Sequence, residues 1–241
     1  LASIVFKRRS FRKGGSVVIA NNPQLKTVLF QDECFVGESS LNITTNSNLT
    51  TLEFGDHAFE NAVFFELREN LELRGIPFGK YAFRSLPSCS LSNLAYVEWL
   101  SFAEGSFYNT ATAVFDYNAL LTTVRFGPSA FHRLHVLQME YNPHLSELVF
   151  EDNSCVGDEA FTTDRVNVEP WDYQGEARLI YLPSLRNLTV RVDPKRTRGM
   201  TFKYFGNVSL RDIPMKEEGF RIEGSSYGFF HYVNYLHHYD A

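Results

Sequence analysis

"LTTLEFGDHAF" spans residues 49–59 and "LTTVRFGPSAF" spans residues 121–131, identical at seven of eleven positions although 72 residues separate them. With Leu49 as position 1 of a unit, apolar residues fall at positions 1, 4, 6, 11, 17 and 19, as Leu49, Leu52, Phe54, Phe59, Phe65 and Leu67. Stepping back by 24 gives Leu25, Val28, Phe30, Phe35, Leu41 and Ile43, and before them Leu1, Ile4, Phe6, Phe11, Val17 and Ile19. Stepping forward gives Leu73, Ile76, Phe78, Phe83, Cys89 and Leu91, then Val97, Leu100, Phe102, Phe107, Ala113 and Phe115, then Leu121, Val124, Phe126, Phe131, Leu137 and Met139. Six consecutive units match at all six positions, which marks a stack of equivalent coils.

Positions 4 and 6 alternate, as do 17 and 19, so each coil predicts two short strands, each with one buried edge. Position 10 is small throughout (Ser10, Cys34, Ala58, Ala82, Ser106, Ala130), and position 7 is Gly in three units (Gly55, Gly79, Gly127), read as a tight turn between strands. Position 22 carries Asn22, Asn46, Asn70, Asn118 and Asn142, with Leu94 the exception. These amides are read as a ladder that caps backbone groups at a corner of the coil. No unit buries its apolar edge alone, whereas stacked units make a continuous core in which Phe residues form two files of rings. A parallel β-helix satisfies the same periodicity.

The chain also resembles the leucine-rich repeats, specifically the BspA-type units of bacterial and protist surface proteins, through "LTTLEFGDHAF", "LTTVRFGPSAF" and "GIPFGKYAF". The likeness runs over residues 1–219. It implies a mostly β leucine-rich-repeat solenoid of about nine coils with little helix, and a non-enzymatic module at the cell surface that binds a protein or glycan partner. An intracellular structural segment that self-associates is the alternative.

The rhythm breaks in the seventh unit. Leu145, Leu148 and Phe150 are in phase, Cys155 stands where Phe belongs, and the second strand resumes at Ala177 and Leu179. The next unit begins at Leu185, 40 residues on, so an insertion occupies about 156–173 and holds Asp158, Glu159, Asp164, Glu169, Trp171, Asp172 and Tyr173. It reads either as a solvated acidic loop or as a partner contact anchored by Trp171 and Tyr173 with Asp172 beside them. In the eighth unit "RVDPKRTRG" forms an irregular loop over 191–199 whose Lys195, Arg196 and Arg198 are expected to pair with the acidic insertion. Residues 220–241 are read as a C-terminal cap or tail, and the first unit, in phase from Leu1, as one that further repeats or another domain precede.

The remaining chemistry is sparse. Net charge is −5, from 23 Lys and Arg against 28 Asp and Glu, which argues against a nucleic-acid binder. No apolar run reaches the roughly 18 residues of a membrane span. No phosphate loop, nucleophile elbow or zinc motif is present, so no catalytic, cofactor or metal residues are nominated. His231, His237 and His238 have only Asp240 near them and read as cap or surface residues. Cys34, Cys89 and Cys155 belong to distant coils and are expected as free buried thiols. Asp56 and His57 read as ordinary surface residues. Trp99 is the large anchor among the outward residues of the first strands. Four sequons, at Asn42, Asn48, Asn187 and Asn207, are candidate N-glycosylation sites, with Asn207 held back by its place at position 22.

Overall fold

The computed structural model describes residues 1–151, 154–155, 176–180, 182, 184–185, 187–190 and 201–205. Each coil contributes two strands, as the two alternating pairs of apolar positions require. The first strands are β1 (Ser3–Phe6), β3 (Thr27–Phe30), β5 (Thr51–Phe54), β7 (Gly75–Phe78), β9 (Trp99–Phe102), β11 (Thr123–Phe126), β13 (Glu147–Phe150) and β15 (Asn187–Val190), and they make one eight-stranded sheet in that order. The second strands divide. β2 (Gly15–Ala20), β4 (Ser39–Thr44) and β6 (Ala62–Arg68) form one sheet; β8 (Ser88–Ser90), β10 (Thr112–Val114), β12 (Val136–Glu140), β14 (Glu176–Ile180) and β16 (Thr201–Phe205) form another. Every pairing is parallel, and up to β13 the register steps by 24, as in Ser3↔Thr27 and Thr123↔Glu147, apart from one shift at Ser39/Ser40. The architecture is therefore a mostly β parallel solenoid with no helix among the described residues.

The two predicted files of Phe exist. At position 6, Phe6, Phe30, Phe54, Phe78, Phe102, Phe126 and Phe150 stack at centroid distances between 4.8 and 5.3 Å. At position 11, Phe11, Phe35, Phe59, Phe83, Phe107 and Phe131 do the same between 4.8 and 5.3 Å. The files meet edge-on, for example Phe30 against Phe59 at 4.9 Å and 77°. One ring quadrupole thus presents its edge to the other's face, the arrangement that adds to the ~1.5–3 kcal/mol of burying each ring. Position 14 is a further core position, as Ala62, Leu86, Thr110 and Leu134, all fully buried. It was hidden in the sequence because coils one and two place Gly14 and Glu38 there. Buried Thr110 donates to Leu86 O, so its hydroxyl costs the core little.

The corners correct one reading of the sequence. Gly55, Gly79 and Gly127 do not have positive φ; the left-handed residues stand at positions 9, 11 and 21 and are seldom Gly. Position 9 has Arg9, Glu33, His57, Tyr81 and Ser129, position 11 the ring file itself, and position 21 Asn21, Thr45, Glu69, Asn93, Tyr117 and Tyr141. Each such residue costs ~1 kcal/mol or more. The stack supplies a reason: at positions 9 and 21 the reversal aims the N–H at the next coil, as in His57 N to Lys80 O at 2.7 Å and Tyr117 N to Glu140 O at 2.9 Å. Glycine at position 7 serves close approach instead. A Cβ on Gly55 would stand 2.7 Å from the amide nitrogen of Asp32, and one on Gly79 would enter the backbone of Gly55.

The Asn ladder is present as read. Asn22 N and Asn46 N donate to the Oδ1 of Asn46 and Asn70 one coil on, both at 3.1 Å. The Nδ2 groups reach back, Asn46 to Ile19 O and Asn70 to Ile43 O, each at 2.9 Å. Beyond the insertion the spacing argument also holds, since Leu137 aligns with Ala177, Met139 with Leu179 and Leu148 with Leu188. Strand β16 was missed because it aligns with β14 at a step of 25, Ala177↔Phe202 and Leu179↔Tyr204. The ninth coil, the whole 156–173 insertion, the 191–199 loop and the 220–241 tail lie outside the described residues.

Candidate functional site: an aromatic edge

Leu1, Val5, Phe11, Val18, Val63 and Phe64 are exposed singly or in pairs in the first three coils, whereas five further exposed apolar side chains share one side of coils three to six. Leu71, Tyr96, Trp99, Tyr117 and Tyr141 are all exposed and belong to positions 21 to 24 and 3, on either side of the Asn corner in coils three to six. Tyr117 and Tyr141 stand at the left-handed position 21 of consecutive coils, where the backbone reversal turns the side chain outward while Asn118 and Asn142 next to them turn in. Their rings stack at 4.9 Å and 9°. Trp99, 40% exposed, opens β9 and lies over β7, because a Cβ on Gly75 would enter its indole. Glycine therefore makes the bed of the indole, and the ring lies along the sheet instead of projecting from it. The Arg74 guanidinium sits 5.3 Å from the Tyr96 ring centroid and 3.1 Å from Glu98 Oε1. Two rings, a guanidinium and a carboxylate thus share one corner, a composition suited to protein hot spots and to stacking against sugar faces.

The opposite corner, positions 8 to 13, is occupied by contacts between coils. Glu33 takes hydrogen bonds from Arg9 at 3.0 Å and Arg8 at 3.1 Å, and the Arg9 bond chiefly holds its carboxyl below the usual range. Lys80 and Glu104 pair at 2.9 Å, which raises the lysine and lowers the glutamate. Asp32 and Asp56 use Oδ1 to accept the amides of Asp56 and Lys80 one coil on, and His57 stacks on Tyr81 at 5.1 Å. Asp56 and His57 thus bind coil to coil, more than their reading as ordinary surface residues allowed. Exposed pairs of this kind contribute little each.

Of the residues nominated from sequence, Trp99 is part of the aromatic edge; Trp171, Asp172, Tyr173, Arg196, Arg198 and Asn207 lie outside the described residues. Asn42 is half-buried and its Nδ2 donates to Glu66 Oε2 at 2.7 Å, whereas Asn48 is exposed at a corner. Asn187 aligns with Glu147 at position 3 of the first sheet. Cys34, Cys89 and Cys155 are buried free thiols, with burial pushing Cys34 up to about 12 and the other two upward. Tyr96, Tyr117, Tyr141 and Leu71 were not singled out from sequence because positions 21 to 24 were treated as turn alone. The signal was there in "FDYN" at 115–118 and "MEYN" at 139–142, one coil apart.

Among the described residues no group of three or more His, Cys, Asp or Glu side chains is placed to hold a metal ion, and no helix is long and apolar enough to cross a membrane. No family model matches the chain, and comparison with curated proteins and with solved structures finds no match.

Proposed function

We propose that the chain is a non-enzymatic binding or adhesion module, a leucine-rich-repeat solenoid of the BspA type that contacts a protein or glycan partner outside the cell or at its surface. The observation that carries this reading is the collection of Leu71, Tyr96, Trp99, Tyr117 and Tyr141 on one edge of a stack whose other corner is filled by its own contacts. Trp99 opens a strand and the other four stand at corners repeated by the stack, so little conformational entropy opposes a partner that matches them. The test compares the intact chain with a Tyr96→Ser, Trp99→Ser double variant and with a chain lacking residues 158–172, on a glycan array and against immobilised surface proteins. Loss of a specific ligand in the double variant is expected; a ligand that both altered chains retain undamaged overturns the reading. Intact mass before and after glycosidase treatment reads the compartment, with Asn48 the expected carrier because it is exposed.

A structural role is the second reading, that of a repeat segment that self-associates or scaffolds a larger complex. Light scattering across concentration tests it, since end-to-end stacking raises the apparent mass.

A further inference from the structure

Five of the coil-to-coil junctions in the first six coils can be compared rung by rung, and the one between coils three and four differs. On the corner of positions 6 to 13 it is complete: Gly79 N to Phe54 O at 2.7 Å, His57 N to Lys80 O at 2.7 Å, Phe83 N to Ala58 O at 3.1 Å and Ser85 N to Glu60 O at 2.9 Å. Away from that corner the rungs are missing. Neighbouring coils join position 2 to position 2, as Thr50 N to Lys26 O, Glu98 N to Arg74 O and Thr122 N to Glu98 O, but Arg74 N makes no such bond to Thr50. Left-handed Asn21, Thr45, Asn93 and Tyr117 each donate to the next coil, but Glu69, with the same backbone, has no acceptor there. Asn22, Asn46, Leu94 and Asn118 each give their amide to an Asn side chain of the next coil, but Asn70 faces Leu94. Strands β6 and β8 are not hydrogen-bonded, and β5 keeps one aligned pair with β7, Phe54↔Phe78.

The cause is local sequence in coil four. Pro77 sits inside β7 and Pro87 at the entrance of β8, and neither has an N–H for the ladder. Phe65 places a large ring at position 17, packed on Phe83 at 4.7 Å and Phe78 at 6.2 Å, where the next coil has only Cys89. The seam therefore has two facing strand edges whose backbone rungs are unmade, including the amides of Glu69 and Asn70, while Phe65, Leu67, Cys89 and Leu91 keep its interior buried. Exposed Val63 and Phe64 stand on the β6 side.

We propose that this seam is a strand-accepting site: an extended peptide of a partner adds in parallel beside β6, carrying two apolar residues at alternate positions and an asparagine three residues after the second. The pattern follows from what is missing. In the other five of the first six coils the same stretch reads apolar-x-apolar-x-x-Asn, as Leu41, Ile43 and Asn46 or Leu137, Met139 and Asn142; in coil four it reads Cys89, Leu91 and Leu94. Only a peptide strand satisfies a row of alternating N–H and C=O groups, and its asparagine supplies the acceptor that Asn70 lacks. Entry breaks no coil-to-coil backbone bond on that side but parts the Phe65 ring from Phe83 and Phe78, and the complete corner acts as the hinge. The site is separate from the aromatic edge and does not depend on it.

The probe is a fluorescent peptide copying residues 37–46, GESSLNITTN, titrated against the whole chain by anisotropy. Saturable binding is expected, weakened about 10-fold when the final Asn of the peptide becomes Ala and by a similar factor when the protein carries Leu94→Asn, which returns the ladder to the solenoid. Hydrogen exchange of the unaltered chain gives an independent readout: the peptide protects the amides of Glu69 and Asn70 about 10-fold or more. Absence of saturation by about 1 mM, equal affinity for a scrambled peptide, or unchanged exchange at those two amides overturns the proposal.

Discussion

The junction between coils two and three and the junction between coils three and four are made from the same apolar pattern, yet one is closed all round and the other along a single corner. Between β4 and β6 the strands pair, Thr45 donates to Arg68 O at 3.2 Å, and Asn46 Nδ2 donates to both Ile19 O and Asn70 Oδ1. Across the next junction the ring files continue without a gap, Phe54 to Phe78 at 5.1 Å and Phe59 to Phe83 at 5.3 Å, while the polar rungs persist along positions 6 to 13 and lapse on the β6 side. Apolar stacking holds the coils in one column, and backbone polar groups decide which sides of each junction are sealed. The two contributions separate because the first needs only volume in the right place, whereas the second needs a donor and an acceptor in alignment.

Removing a ring tests the contribution the two junctions share, and the largest effect is expected there. Phe59→Ala deletes a fully buried ring stacked on Phe35 and Phe83 and edge-on to Phe30 and Phe54, and it should cost ~3–5 kcal/mol in urea titration. A loss under ~1 kcal/mol would mean that the ring files do not carry the column. The sharpest contrast between junctions is hydrogen exchange. Thr45 and Asn46 amides should exchange at least about 100-fold more slowly than those of Glu69 and Asn70, a difference of ~2.7 kcal/mol in opening free energy. Equal protection would abolish the distinction between the junctions.

Asn70→Ala attacks the closed junction itself, removing the acceptor of Asn46 N and the bonds to Ile43 O and Arg68 O. A cost of ~1–3 kcal/mol is expected, read as a lower denaturation midpoint, because buried groups lose their partners. A neutral outcome would mean that the amide ladder seals nothing.

The smallest effect concerns Asp116, buried in coil five and raised above the usual carboxylate range chiefly by desolvation, although Gln138 Nε2 and Glu140 N donate to it. A carboxyl whose folded-state pKa is raised holds its proton more tightly when native, so its contribution favours folding at acid pH and declines as pH rises above the ordinary Asp range. Asp116→Asn should therefore flatten that decline and, at neutral pH, change stability by under ~1 kcal/mol in the stabilising direction. A steeper loss of stability with rising pH in the variant contradicts the assignment.

How much of this was legible in the sequence can be said residue by residue. The two Phe files, the small residues at position 10 and the Asn corner were readable because each depends on one residue type recurring at a fixed step. The core position at 14 was not, since Gly14 and Glu38 mask it in the coils read first. The aromatic edge was half legible: Trp99 stood out, but Tyr117 and Tyr141 gain their exposure from a left-handed backbone that their side chains do not advertise.

The sequence by itself determined the period, the strand pair of each coil and the residues that fill the column, because burying apolar side chains at a repeated spacing has one economical solution, a stack of equal turns. Only the tertiary structure decided which residues reverse the chain at the corners, why Gly55 and Gly79 admit no side chain, and that the junction after coil three lacks strand pairing on one side. Those features depend on whether a donor in one coil meets an acceptor in the next, a distance across the stack that no single coil's sequence records.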